Sequence, residues 1–170
     1  MLNKYPSLYY VSNEYLKDLH DNIDYRVSIK YTTRPFIGIL TIIENQKYLI
    51  PLTSEITQKR IMEGKKKRNS FFTIFIKDEN GNEIANALLN NMIPVNDDVI
   101  EAVPICDIES STYISKEIRY IRKHWNNIQI KAKKVYYGRY NKKSKQYSFL
   151  KKMCCNYKKM ELFCESYSSQ

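Results

Sequence analysis

Glycine, proline, histidine and cysteine are all scarce in this chain, and each scarcity closes off a class of protein. With 4 glycines and 5 prolines in 170 residues, the sequence is neither repetitive nor disordered. The two histidines, His20 and His124, stand far apart, so a metal site has few ligands to draw on and none is expected. The four cysteines, Cys106, Cys154, Cys155 and Cys164, form no C-x-x-C pair. They read as small buried hydrophobes of a reduced cytosol. No run approaches about 18 apolar residues, so no membrane-spanning helix is expected. Met1-Leu-Asn-Lys-Tyr-Pro-Ser7 lacks the apolar core of a signal peptide, which implies a cytoplasmic protein. The motifs G-x-x-x-x-G-K-[ST], G-x-G-x-x-G and G-x-S-x-G are all missing, and no carboxylate pair stands out. That removes the common nucleotide-cofactor and hydrolase readings, and no cofactor is expected.

What is present is positive charge. Lys+Arg 28 against Asp+Glu 18 leaves a net +10, which favours a polyanionic partner. The excess is unevenly placed. From Lys116 to Lys159 there are 15 basic residues and one acid, Glu117. A second cluster is Lys59-Arg60 with Lys65-Lys66-Lys67-Arg68, whereas Asp78 to Glu109 is acidic. Scattered lysines are ordinary solvated surface; a half-chain of one sign is not.

At 170 residues one domain is the default, spanning 1–170. Ser7 to Val11 reads as a first strand, and Ser12 offers an N-cap to a helix over about 13–20. Phe36 to Ile43 and Tyr48 to Leu52 form a hairpin about the polar stretch Glu44-Asn45-Gln46-Lys47. A turn centred between Asn45 and Gln46 would set Gly38 opposite Thr53 and Ile37 opposite Ser54. Arg34 would then fall at the same lip, and Gly38, lacking a Cβ, would let something approach the backbone. Glu55 to Gly64 reads as one or two helical turns, and Lys65 to Arg68 as a mobile loop too charged to pack. Ser70 to Lys77 and Ile84 to Leu89 pair across Asp78-Glu-Asn-Gly-Asn82; Met92-Ile-Pro-Val95 continues the sheet, and Val99 to Cys106 ends it. Ser110-Ser-Thr112 caps a long helix whose Ile114, Ile118, Ile121, Trp125, Ile128, Ala132 and Val135 share one stripe. A last helix covers about 145–167. The fold class is α+β: a mostly antiparallel β core over about 8–106 and a helical part over about 110–167.

One reaction needs neither cofactor nor metal. RNA carries its own nucleophile, the 2′-hydroxyl, and a protein need only move protons and neutralise the scissile phosphate. The hairpin lip supplies Arg34, Thr53 and Ser54, with Tyr31 or Lys59 close by. The remaining basic residues, Lys30, Arg60, Lys65, Lys66, Lys67, Arg68, Lys116, Arg119, Arg122, Lys123, Lys131, Lys133, Lys134 and Arg139, are candidates for binding the RNA backbone. Tyr113, Tyr120, Tyr136, Tyr137, Tyr140 and Tyr147, interleaved with them, could stack unpaired bases. A non-catalytic basic RNA-binding protein fits the charge equally well. DNA or membrane-surface binding fits worse, because the helices keep a narrow apolar stripe and no groove-reading motif occurs.

Phe36-Ile-Gly, Lys47-Tyr-Leu-Ile-Pro-Leu-Thr-Ser54, Met92-Ile-Pro-Val95 and the helix around Tyr120-Ile-Arg122 resemble the toxins of type III toxin–antitoxin systems. This is the ToxN/AbiQ family, with its CptN-like branch nearest in pattern. The resemblance covers most of 8–135; the Lys-rich tail after about Val135 lies outside it. It implies a cytoplasmic bacterial endoribonuclease with a twisted, MazF/Kid-like, small barrel-like β core. It also implies metal-independent cleavage at adenine-rich sites, leaving 2′,3′-cyclic phosphate and 5′-hydroxyl ends. The implied partners are substrate mRNA and a small RNA antitoxin of pseudoknot repeats. The toxin processes that RNA and is inhibited by it in a closed protein–RNA hetero-oligomer, in some members serving abortive infection against phage. By resemblance the family's Thr-Ser pair falls on Thr53 and Ser54, its basic residue on Arg34 and an upstream tyrosine on Tyr31. A lysine that some members carry two positions after the serine is Ile56 here, with Lys59 or Arg60 one helical turn on. An arginine at position 34 suits phosphate neutralisation, since guanidinium does not deprotonate. Proton transfer then falls to Tyr31, Ser54 or a nearby lysine.

Overall fold

The computed structural model describes residues 6–29 and 37–167. Seven antiparallel strands make its sheet: β1 (Leu8–Val11), β2 (Ile37–Ile43), β3 (Gln46–Thr53), β4 (Thr73–Lys77), β5 (Glu83–Leu88), β6 (Ile93–Pro94) and β7 (Ile100–Ala102). Seven helices accompany it: α1 (Asn13–Asn22), α2 (Thr57–Met62), α3 (Ile105–Ser110), α4 (Thr112–Lys123), α5 (Trp125–Gly138), α6 (Tyr147–Met153) and α7 (Tyr157–Ser166). The strand order is β4-β5-β3-β2-β1-β7, with β6 also paired to β3. Since β4 and β7 end that order without pairing each other, the sheet stays open and does not close into the small barrel that was expected. The last strand also stops at Ala102, short of the Cys106 expected, because α3 begins at Ile105.

The central hairpin forms, but around a tighter turn. Glu44 and Asn45 both take positive φ, 52° and 62°, and Ile43 pairs directly with Gln46. Two left-handed residues make the turn whose twist matches the flanking strands. The register therefore sits two residues from the expected one: Gly38 faces Pro51, not Thr53. What approaches Gly38 is the neighbouring strand. A Cβ there would lie 2.5 Å from Leu49 Cγ and 2.6 Å from the Ile50 carbonyl, so the missing side chain is filled by the neighbouring strand. Tyr48, wholly buried in β3, donates its hydroxyl to Glu161 of α7, which also accepts from Tyr136 at 2.9 Å. Burial pushes the Tyr48 phenol well up, so it stays a donor.

Both long helices expected after residue 110 are broken. Ser111 caps α4 through Ile114 N–H. At its end the His124 ring stacks on Tyr120, 4.0 Å between centroids, and Nδ1 donates to the Tyr120 carbonyl at 2.9 Å. The His124 N–H keeps its own bond to that carbonyl at 3.0 Å, and the break lies in the His124 backbone, at φ −107° and ψ 17°. The apolar stripe survives: Ile118, Ile121, Ile128, Ala132 and Val135 are all buried. Between α6 and α7, backbone bonds leave the helix for distant partners. Cys155 N–H donates to the Asn90 carbonyl at 2.9 Å, Asn156 N–H to Asp24 at 2.6 Å, and the Tyr157 hydroxyl to the Leu89 carbonyl at 2.8 Å. Cys154, Cys155 and Cys164 are buried as expected; Cys106 is exposed.

Two predictions arise from this packing. Gly38→Ala forces the new Cβ against a backbone carbonyl that cannot rotate away, and a loss of about 1–3 kcal/mol in urea unfolding is expected. Glu117 of α4 is buried, and desolvation pushes its carboxyl up to about 7, against a hydrogen bond with Tyr113 that pulls it down. An acid raised in the folded state costs nothing below the unfolded value of 4.5; the cost grows as pH rises and is complete above about 7. Glu117→Gln should therefore be more stable than wild type at pH 8 by roughly 2 kcal/mol and should lose that pH slope. Parallel unfolding profiles for the two proteins from pH 5 to 8 would exclude Glu117 as its source.

Candidate active site

β3 ends in the pair Thr53–Ser54, and the chain turns out of the sheet at once. Thr53 is the last paired residue, opposite Asn86 of β5. Its Oγ1 accepts from Glu55 N–H at 3.1 Å, and the Ser54 carbonyl accepts from Ile56 N–H at 2.9 Å. Hydroxyl-to-backbone bonds of this kind stabilise a turn in place of a continued strand. Ser54 is left exposed and Thr53 half-buried.

The helix that follows has no side-chain cap of its own, because Ile56 holds the N-cap position. A carboxylate from the sheet serves instead. Glu83 Oε1 accepts from Thr57 N–H at 2.9 Å, from the Thr57 hydroxyl at 3.0 Å and from Asn86 Nδ2 at 2.6 Å. Burial acts to raise the Glu83 pKa, but the bonds from Asn86 and Thr57 outweigh it and hold the carboxyl below its usual range. The Thr53–Ser54 turn is thus pinned on both sides: by the β3–β5 pairing at Asn86, and by the α2 N-terminus at Glu83.

Around this turn Arg60 and Arg68 of the basic cluster are half-buried, while its lysines stay exposed. Glu55 accepts from Lys65 at 2.5 Å and Arg68 at 2.8 Å, and Arg60 Nη1 lies 3.5 Å from it. Arg60 Nε donates to the Lys66 carbonyl at 2.9 Å, and Lys67 Nζ lies 4.8 Å from the centre of the Phe75 ring. The run Lys65–Arg68 is a loop, as expected, with Lys65, Lys66 and Lys67 exposed, but Lys65 and Arg68 are tied to Glu55. Burial pushes the Arg68 guanidinium down, and the charge of Arg60 adds to that. Arg68 Nε is buried with no partner among the described residues.

Of the expected catalytic residues, the structure brings Thr53 and Ser54 together beside this cluster. Lys59 is exposed on α2. Tyr31 and Arg34, with the binding candidate Lys30, lie outside the described residues. The binding candidates divide. Arg122 and Lys123 line an open cavity of about 380 Å³ with His124 and Trp125 at the α4–α5 break. Lys133 and Lys134 line another, of about 460 Å³, with Ile130 and Tyr137. Arg119 pairs with Glu79, and the Asn82 N–H bond that lowers the Asp78 pKa is helped by the charge of Lys116. Two candidates have other roles. Lys131 donates to the Thr73 carbonyl at 2.8 Å, and burial lowers its pKa. Arg139 is buried over the Tyr140 ring at 5.1 Å. Tyr136 is likewise buried, while Tyr113 and Tyr137 are exposed. Sequence reasoning missed Glu55, Glu83 and Asn86. Only Glu55 carried a signal, as an acid next to Ser54 and before two basic clusters. No group of three or more metal-ligating side chains occurs among the described residues.

Comparison with known proteins shows the family of the chain. A family model described as toxin ToxN, type III toxin–antitoxin system, matches residues 7–165, so the likeness extends through the basic tail that motif matching left out. An endoribonuclease ToxN of Bacillus thuringiensis subsp. kurstaki is 28% identical over 175 residues, covering 97% of this chain and 86% of the relative. A solved structure from work on selective toxin inhibition by a non-coding RNA pseudoknot in bacterial type III toxin–antitoxin systems superposes with a TM-score of 0.82. It is 26% identical and covers 98% of this chain and 100% of its own. AbiQ, a lactococcal anti-phage endoribonuclease, shares the fold with a TM-score of 0.79 at 21% identity, covering 98% and 99% of the two chains.

The Glu83 bonds generate a stability prediction. Glu83→Ala leaves Asn86 Nδ2 and the first turn of α2 short of an acceptor, and a loss of about 2–3 kcal/mol is expected in chemical unfolding. Because its carboxyl is lowered in the folded state, the contribution is present above the reference value of 4.5 and is lost as pH falls below it. Glu83→Gln should lack that acid-side loss. If the Ala variant unfolds with wild-type parameters, the cap has no energetic weight.

Proposed function

The chain belongs to the ToxN toxin family of type III toxin–antitoxin systems and is an endoribonuclease, and we propose that it cuts adenine-rich RNA without a metal. In this reading the products carry 2′,3′-cyclic phosphate and 5′-hydroxyl ends. The observation that carries the reading is the exposed Ser54 hydroxyl on a pinned turn beside a cluster of shared-carboxylate cations.

The chemistry balances with groups of this kind. The 2′-hydroxyl gives up its proton to a base, its oxygen bonds to phosphorus, the bond from phosphorus to O5′ breaks, and O5′ takes a proton. Thr53 and Ser54 donate to the non-bridging oxygens, whose charge grows in the transition state. Arg34 neutralises phosphate charge, and Tyr31, Ser54 or a lysine such as Lys59 moves the protons. Lysines and arginines on α4 and α5 hold the flanking backbone, while exposed tyrosines such as Tyr137 stack bases.

The regulator in this reading is RNA as well. A relative of this fold is inhibited by a non-coding RNA pseudoknot. We take the same kind of partner for this protein: short pseudoknot repeats, cut from a precursor by the toxin, that stay bound and silence it in a closed protein–RNA assembly. The setting is the bacterial cytoplasm, with defence against phage as one outcome.

The test is cleavage of an adenine-rich RNA in excess chelator, with product ends read by mass spectrometry. Cyclic phosphate ends are expected from wild type. Ser54→Ala should cut about 10²–10³-fold more slowly, the usual effect of losing one such donor. Its RNA affinity and salt dependence should stay close to wild type, since no charge is removed. Intact RNA after incubation with wild type would leave a non-catalytic RNA-binding protein.

A further inference from the structure

Glu55, next to Ser54, does two things in this turn. Its backbone N–H holds the Thr53 hydroxyl at 3.1 Å, and its side chain holds Arg60 at 3.5 Å and Arg68 at 2.8 Å. One residue therefore connects the hydroxyl pair to two guanidinium groups. Two acids act on this pair: Glu55, which contacts both guanidiniums, and Glu83, whose charge acts on Arg68 without an ion-pair contact. Lys65 is shared with Glu63 at 3.3 Å, so Arg60 and Arg68 have Glu55 as their one ion-pair partner among the described residues. Burial pushes the Arg68 guanidinium down, and repulsion from Arg60 adds to it. Both side chains are 18% exposed, so water screens their charge incompletely. Arg60 Nη2 and Arg68 Nη1 make no hydrogen bond to the described residues. A half-buried guanidinium pair with unused donors is completed by an anion, and the anion that reaches Ser54 in an RNA-cutting enzyme is a phosphodiester.

We infer that Arg60 and Arg68 neutralise the scissile phosphate as its charge grows, and that Glu55 is the positioning residue that aims them. The inference rests on the ribonuclease reading above and adds to it the groups that carry the charge. Guanidinium keeps its proton, so the pair acts through charge and hydrogen bonds alone and leaves proton transfer to other groups.

The experiment uses the full chain and a short adenine-rich RNA, with kcat and KM measured separately and Tm recorded for every variant. Arg60→Gln and Arg68→Gln should each lower kcat about 10–100-fold while KM rises less than about threefold, because the lost interaction strengthens in the transition state. Arg68→Lys should recover part of kcat. Glu55→Gln, nearly isosteric, should lower kcat with little change in KM, since the cations remain but lose their aim. The inference fails if the arginine variants raise KM at wild-type kcat, since the pair would then only hold the RNA backbone. It fails equally if activity falls only in step with Tm and returns on cooling. A wild-type protein that cuts no RNA would defeat the ribonuclease reading itself, a result that the wild-type lane alone distinguishes.

Discussion

A single carboxylate, that of Glu83, joins sheet to helix where the chain leaves β3, and the geometry of the candidate site depends on it. It satisfies the first turn of a helix that has only Ile56 at its N-cap, and it occupies a side-chain amide of the wholly buried Asn86. Asn86 in turn pairs by backbone with Thr53. A turn that would otherwise hang from a strand end is thereby held at two points, which is the support that oriented hydroxyls require. Glu55 works one residue further on, and in the other direction: it gathers cations that repulsion would scatter. Two acids, each held anionic by its partners, organise a region otherwise dominated by positive charge.

The parts of the fold legible in the sequence were those set by local pattern. Alternating and β-branched runs marked the strands, Ser12 and Ser111 marked helix starts, and the stripe from Ile114 to Val135 marked the buried helical face. What was hidden depended on distant partners. The hairpin turn looked polar over four residues, and nothing local showed that Glu44 rather than Gln46 would accept a left-handed backbone; the register moved by two as a result. The break after α6 exists because Asn90, Asp24 and Leu89 offer better partners than the helix does, and those residues lie more than sixty positions away.

The site was legible to a similar depth. Thr53 and Ser54 stood out because the hairpin exposes its end and the motif resembles a family's, and both lie in the bonded turn. The basic residues were legible only as a total. Burial then sorted them by function: Arg139 packs beneath an aromatic ring, Arg60 and Arg68 are half-buried beside Glu55, and Arg122 and Lys123 face open space. Charge counts cannot see that division, because it depends on which side of each helix meets the sheet.

One small contact bears on how the molecule avoids its own copies. The sheet is open and β4 ends its strand order, the position at which unpaired backbone groups can template another strand. Lys131 reaches across from α5 and occupies the Thr73 carbonyl on this strand. The side chain blunts a sticky rim. A charge-removal scan along α5 would therefore mix two phenotypes: weakened polyanion affinity at Lys133 and Lys134, and self-association through an unguarded strand at Lys131.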